Sequence, residues 1–500
     1  MNHVHFIGIG GAGMSGLAEI LLARGIRVSG SDHTASVKTT ELEKLGATIF
    51  IGEDASNLSG DVDLVVFTSA IDRAENVEFN EAKNRGLRLL RRAEFLGELT
   101  HDLKTIAVAG THGKTTTTAM IAAVLIEAKL DPTVVVGGSI HELGGKNARR
   151  GKGQLAVVEA DEYDRSFLAL TPYIAVLTSL EAEHLDIYKD LEDLRSAFTE
   201  FANRSDSHGA QSAMHGSQGF AIVCLDEQHV RELTPRLEKR IVTYSTRAPE
   251  AKYRATDIVM TATRTRAVLW RGAEIMGLLE LNVPGEHNVR NALAAIAVGE
   301  VLAIPFEITK RALKKFVGAE RRFQIKGEPN GILVIDDYAH HPTEIRATLA
   351  TVRSAYPGRR IVACFQPHTF TRTRDFAGEF GAAFAEFADH LLLLEIYPSR
   401  ESPIEGVTSQ LILDAAASLG LSQAELVAGL DALPEKVSEI AKPGDIVLTM
   451  GAGSITEASG PIVDILGLWT NSSPTGGTNG SASHVRRLPE GNIPRPEINV

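Results

Sequence analysis

Five hundred residues exceed what one hydrophobic core organises, so about three domains of ordinary size are expected. With 44% hydrophobic and 23% charged residues the composition is that of a water-soluble globular chain, and no apolar run approaches the roughly 18 residues of a membrane span. A formal charge of −12 disfavours broad attraction to nucleic acid, and Met1 to Phe6 enter a strand pattern with no basic or apolar leader, which predicts a cytoplasmic location.

The first domain, predicted over 1–99, opens with a strand at His5 to Ile9, a helix carrying Met14, Leu17, Ala18, Leu21 and Leu22, and a strand at Arg27 to Ser31. Spacings of three and four give that helix one buried face. Between strand and helix lies Gly8-Ile9-Gly10-Gly11-Ala12-Gly13, and the next strand ends on Ser31-Asp32. Such a loop offers backbone N–H groups to a diphosphate, while the later acid reaches a ribose. These residues alone fit NAD, FAD, another nucleotide diphosphate, or a tight packing turn.

The second domain, predicted over 100–322, begins with an apolar strand, Thr105 to Ala109, then Gly110-Thr111-His112-Gly113-Lys114-Thr115-Thr116 and a helical run to Ala128. Glycines at a strand-to-helix junction let N–H groups face one anion, Lys114 supplies a cation to the terminal phosphates, and the Thr115 hydroxyl joins a Mg²⁺ shell. ATP chemistry follows, although two residues separate the glycines where the common phosphate loop has four. Strands at Leu155 to Glu159 and Ile174 to Ser179 predict a mixed sheet with parallel strands. Glu159 opens Glu-Ala-Asp-Glu-Tyr-Asp at a strand end, where a carboxylate would complete the Mg²⁺ shell. His184, just past the next strand among acids, reads as a ligand to a second metal or as an ordinary loop residue. Ser205 to Gly219 is polar and aperiodic, an exposed loop. Asn288 and Asn291 share one face at the entry of a helix around Val289 to Leu302, able to clasp a base or phosphate; a helix cap would account for Asn288 alone. Cys224 and Cys364 sit in apolar strand runs and read as core.

The third domain, predicted over 323–467, follows Arg321-Arg322-Phe323 and alternates helices with strands at Ile332 to Asp336, Ile361 to Phe365, Leu391 to Ile396 and Ile446 to Met450. Asp336-Asp337-Tyr338-Ala339-His340-His341-Pro342 lies at a strand's C-terminal end, placed to close over a nucleotide. The whole is an α/β chain with Rossmann-like first and third domains. Residues 468–500, rich in Ser, Thr, Gly, Asn and Pro, are expected to form a disordered tail.

These motifs, with Gly-Met-Ser-Gly (13 to 16), His-Asn-Val-Arg-Asn-Ala (287 to 292), His-His-Pro-Thr-Glu (340 to 344) and Phe-Gln-Pro-His (365 to 368), resemble in order those of the Mur ligase family from about His3 to Leu466. The shorter phosphate loop is the family's own form. The resemblance implies a first domain holding UDP through Gly8, Gly10, Gly11, Ala12, Gly13, Met14, Ser31, Asp32 and Ser69. It implies ATP at Gly110, Thr111, His112, Gly113, Lys114, Thr115 and Thr116, with Asn288, Asn291, Arg322 and Asp337 holding the nucleotide. Lys114, Glu159 and His184 are the implied catalytic residues, with Thr115 and Glu159 on one Mg²⁺ and His184 on a second. His341, Arg372 and Arg374 are implied for the amino acid. Where many relatives have arginine this chain has Thr369, and Arg195 to Glu200 lacks the modified lysine of some sister ligases.

The members most similar in pattern join L-alanine to UDP-N-acetylmuramate through an acyl phosphate, a step of peptidoglycan precursor synthesis. Members that recycle a preformed tripeptide share most motifs, but resemble this chain with a longer insertion where His184 here follows Glu159 by 25 positions. A nucleotide sensor without catalysis needs neither a second metal ligand nor a third domain. A dehydrogenase leaves the ATP loop unexplained.

Overall fold

The computed structural model describes residues 1–68, 71–183, 187–204, 219–399 and 401–468. The readings at Ser69, at His184, over 205–218 and over 469–500 lie outside the described residues. The chain forms three sheets in succession.

The first is a five-stranded parallel sheet in the spatial order Thr48–Ile51, Arg27–Asp32, His3–Ile7, Leu64–Phe67, Arg88–Arg91. Its first strand ends two residues before the predicted Ile9. Gly8 adopts φ +79° and both Gly8 and Ile9 donate to the Ser31 carbonyl, which turns the chain into the helix Ala12–Ala23.

The central sheet runs Glu274–Leu281, Thr265–Arg271, Tyr253–Met260, Arg240–Ser245, Phe220–Cys224, Ile174–Leu177, Lys104–Ala109, Leu155–Glu159, Thr133–Ile140, Lys146–Arg149. Its middle strands are parallel and buried on both faces, hence their continuous apolar runs. At one end Tyr253–Leu281 is an antiparallel meander whose outward residues are part-exposed, a pattern absent from the sequence reading. The helix Glu286–Val301 is joined by a second, Phe306–Lys315, also unanticipated.

The third sheet has the order Gln324–Gly327, Leu333–Asp337, Ile446–Met450, Ile361–Phe365, His390–Leu393, Ala424–Leu426, with only its first strand antiparallel. Both cysteines are buried in strand cores. No helix among the described residues is long and apolar enough to cross a membrane.

Close backbone approaches join the units. At Gly16 a Cβ would stand 2.7 Å from the Ala148 Cβ, and at Gly97 one would stand 2.3 Å from the Ala169 carbonyl, so the first unit meets the second where only glycine fits. The third unit leans its helix Pro342–Ala355, N-terminus first, towards the phosphate loop.

Candidate active site between the domains

The phosphate loop follows the central strand Lys104–Ala109 and caps the helix Lys114–Glu127 through Gly113, left-handed at φ +80°. A Cβ at Gly110 would stand 2.0 Å from the Thr178 Oγ1, and one at Gly113 2.8 Å from the Asn291 Oδ1, so both glycines are sterically required. The neighbouring strand braces the loop: the Ser179 Oγ accepts from the His112 N–H at 2.7 Å, and the Thr178 hydroxyl donates to the His112 carbonyl at 2.6 Å.

The Lys114 Nζ donates to the Gly110 carbonyl at 2.6 Å and to both Glu162 oxygens, at 2.8 and 2.9 Å. Burial opposes its charge, yet Glu162 and Asp161 prevail and keep it protonated. Burial pushes Glu162 up to about 7 against the pull of Lys114, with Asp161 and Glu183 adding to the push. Lys114 is therefore held at the loop by a carboxylate whose own charge burial disfavours. Glu162 stands in the acidic run that contains Glu159, but nothing in the run's spacing distinguished it.

The Glu159 carboxylate accepts from the Gly137 N–H at 2.8 Å. The Thr115 side chain lies beside Gly138, whose added Cβ would sit 3.6 Å from the Thr115 Cγ2. It is the Thr115 methyl that faces Gly138; the residue types, a threonine hydroxyl and a carboxylate carried on segments that meet at the glycine pair Gly137-Gly138, are hard oxygen donors of the kind Mg²⁺ takes.

A cleft beside the loop is lined by Gly113, Thr116, Asn288, Asn291, Arg322 and Asp337, which gathers these predicted nucleotide residues from two sheets. Gly285, not Asn288, caps the helix Glu286–Val301. The Asn288 amide instead donates to the Pro284 carbonyl at 2.7 Å, and the Asn291 Oδ1 accepts from the Thr117 hydroxyl at 3.1 Å. Asp337 accepts the Phe323 and Ala339 N–H groups at 2.7 and 2.8 Å; burial pushes it up to about 6 against the pull of Arg322.

The third unit faces the loop directly. The His112 Nδ1 lies 3.2 Å from Glu344 and its Nε2 3.5 Å from Glu181. Burial disfavours its charge, but these two acids raise it to about 10, so it is an imidazolium. The Thr343 hydroxyl donates to Glu181 at 2.8 Å. His341 is buried beside His112, their ring centroids 4.9 Å apart, and burial lowers it to about 4. Arg372 reaches Glu183 with 2.5 Å between the Nη2 and Oε1 atoms. Arg374 does not join this group, since it pairs with its neighbour Asp375 at the surface. Glu181, Glu183 and Glu344 escaped the sequence reading as site residues, although all three stand inside its motifs.

In the first unit the glycine loop surrounds Asp32. Its Oδ2 accepts the Gly10 N–H at 2.8 Å, so the acid assigned to a ribose orders the loop itself here. The Ser31 side chain is buried and donates to Glu78 at 2.5 Å, which leaves its hydroxyl inside the core, whereas Ala12 stays exposed. Gly11 caps the helix, Gly13 is approached by Arg92, and Met14 is buried.

Residues 3–103 match the model of the Mur ligase family catalytic domain, 108–299 that of the Mur ligase middle domain and 321–453 that of the Mur ligase glutamate ligase domain. The UDP-N-acetylmuramate–L-alanine ligase of Salinibacter ruber is 47% identical over 93% of this chain and 95% of its own, and that of Sorangium cellulosum 47% over 91% and 94%. Among solved structures, a UDP-N-acetylmuramate-alanine ligase from Thermotoga maritima superposes with a TM-score of 0.77 at 32% identity, covering 95% of this chain and all of that one. A murein peptide ligase from Psychrobacter arcticus superposes at 0.68 with 26% identity, covering 95% of this chain and all of that one. The three successive matches and the likeness along nearly the whole length establish that the chain belongs to the Mur ligase family.

Proposed function

We infer that the protein is an ATP-dependent ligase that joins L-alanine to UDP-N-acetylmuramate in peptidoglycan precursor synthesis, working in the cytoplasm. The observation that carries this reading is the phosphate loop with Lys114 at its mouth, faced by a third unit that brings Arg372 and His341 to the same place. Identity of 47% to ligases named for this reaction supports the choice of substrates. Working domain boundaries of 1–99, 100–322 and 323–467 accompany it, with UDP at the first glycine loop.

A carboxylate is a poor acyl donor. Its oxygen attacks the γ-phosphorus of ATP, the bond to the β-phosphate oxygen breaks, and ADP leaves an acyl phosphate. The amine nitrogen then attacks the carbonyl carbon, loses a proton and expels inorganic phosphate. Lys114 neutralises charge on the transferring group, the main requirement of phosphoryl transfer. Asn288, Asn291, Arg322 and Asp337 hold the nucleotide. Mg²⁺ held by Thr115 and Glu159, with a second ion at His184, would supply further charge neutralisation at the phosphates. Glu181, Thr343, Glu344 and His112 draw the third unit over the loop and exclude water from the acyl phosphate.

ADP release measured with each substrate omitted tests the reading. Turnover should require both UDP-N-acetylmuramate and an amino acid, with L-alanine ahead of L-serine, and glycine only about 10- to 200-fold worse because one methyl discriminates weakly. Faster turnover with L-Ala-γ-D-Glu-diaminopimelate would move the chain to the tripeptide-recycling branch. ADP release without any amine would remove ligation.

A further inference from the structure

Arg372 and Glu183 form an ion pair between the third and the central unit, with only 11% and 9% of their side chains exposed. Arg372 stands near the start of the helix Phe370–Phe387, and its Nη1 also contacts the His368 Nδ1 at 3.1 Å. The His368 ring stacks on Tyr397 at 5.8 Å and meets His340 edge-on, also at 5.8 Å. Thr369, which caps the helix, is held at φ +69°, a left-handed conformation that a threonine adopts only when its surroundings impose it. Its N–H donates to the Tyr397 carbonyl at 2.9 Å, so the segment past the strand His390–Leu393, held to His368 by an isolated bridge at Tyr397, fixes the turn that aims Arg372.

Glu183 also acts electrostatically on both sides of the seam. Its charge supports the Lys114 ammonium and disfavours the Glu162 carboxylate at the phosphate loop, and it opposes the loss of charge that burial imposes on His341 and His368 of the third unit. A buried ion pair costs its desolvation twice, and either partner left alone is strongly unfavourable. Here the pair spans the seam where the amine must meet the acyl phosphate.

We propose that Glu183 and Arg372 are the two jaws of the amino-acid site, and that the incoming α-amino acid replaces their mutual ion pair, its ammonium taking Glu183 and its carboxylate taking Arg372. The proposal rests on the ligase reading of the same site and adds Glu183 as a specificity-determining residue. One ion pair is exchanged for two, and no charge is left unpaired. Only a zwitterion does this. Propionate, which lacks the ammonium, takes the Arg372 pair from Glu183 without replacing it, and L-alaninamide, which lacks the carboxylate, takes the Glu183 pair from Arg372 without replacing it. The exchange also sets the amine on the Lys114 side of the seam.

The test compares wild type with Glu183→Gln in the presence of UDP-N-acetylmuramate. The KM for L-alanine should rise at least 30-fold in the variant, while those for ATP and UDP-N-acetylmuramate stay within threefold. Wild type should bind propionate and L-alaninamide at least 100-fold more weakly than L-alanine. Glu183→Gln should bind propionate at least tenfold better than wild type, because Arg372 no longer has to be released, and a purely structural pair predicts no such gain. Equal rises in all three KM values, or unchanged propionate affinity, would overturn the proposal. Calorimetry with L-alanine and a non-hydrolysable ATP analogue separates it from the activity reading: variant-sensitive alanine binding without alanine-dependent ADP release leaves the jaws and removes the ligase, whereas alanine-dependent ADP release with equal KM in both proteins does the reverse.

Discussion

Replacing Asp337 with asparagine separates what this carboxylate does for the nucleotide from what it costs the fold. Asp337 is 6% exposed, and burial raises it to about 6. A folded-state value above the ordinary 3.8 means that the native protein keeps a proton which the unfolded chain has released. Stability therefore falls as pH rises from about 4 to about 6, then levels off. A gap of about two units corresponds to about 3 kcal/mol lost by pH 7. Asparagine avoids that loss, but it cannot accept both the Phe323 and Ala339 N–H groups, because one of its terminal atoms is itself a donor. The unpaired donor costs roughly 1–3 kcal/mol, so near pH 7 the two proteins should be about equally stable. Towards pH 4 the wild type gains and the variant does not. At roughly 2–4 °C per kcal/mol for a unit the size of the third, which carries Asp337, the difference in the Tm of that unit's own transition should swing by about 6–12 °C between pH 4 and pH 7. Thermal melts across that range read the swing, and affinity for an ATP analogue at pH 7.5 should drop roughly tenfold to a hundredfold with the charged hydrogen bond lost. Parallel Tm curves would refute the buried, titrating carboxylate, and unchanged nucleotide affinity would remove Asp337 from the ATP site.

Lys114→Ala should cut ATP-dependent turnover by roughly a hundredfold to a thousandfold or more, as removal of a transition-state charge does. Its melting curve should shift little, because Glu162, already at about 7, takes up a proton once its partner is gone; wild-type turnover would sink the phosphate-loop reading. Gly110→Ala should abolish nucleotide binding measured by calorimetry, since its Cβ would meet the Thr178 Oγ1 at 2.0 Å and the Ser179 N at 2.9 Å. Glu159→Gln should raise the Mg²⁺ concentration for half-maximal turnover roughly tenfold or more, with recovery at excess Mg²⁺. An unchanged Mg²⁺ profile would take Glu159 out of the ion's shell.

The parts of the fold that could be read beforehand are those whose burial is uniform. Ile361–Phe365 and Ile446–Met450 are covered on both faces, so their sequences are unbroken apolar runs and their limits coincide with the predicted ones. The meander Tyr253–Leu281 has one face towards solvent, carries Arg254, Asp257, Arg266 and Glu280 among its apolar residues, and bulges twice, which obscures a period of two. Strand ends shifted where a glycine turn intervened, as at Gly8.

The site divides in the same way between local and assembled features. Gly110, Gly113 and Lys114 belong to one short loop, the glycines acting through its backbone and Lys114 through its ammonium, so their roles follow from order along the chain. Glu162, Glu183 and Glu344 acquire theirs only when three segments meet, and no spacing rule selects them from the acids around them. One choice, however, was within reach of elementary geometry. Arg372 and Arg374 are two residues apart in the helix Phe370–Phe387, hence about 200° apart around its axis, and cannot both face the seam. Arg372, one turn on from His368, shares the face that meets Glu183, and Arg374 is turned towards Asp375. With arginine absent at 369, the helix presents a single guanidinium to the seam, which is why Glu183 has to release it before a carboxylate can bind.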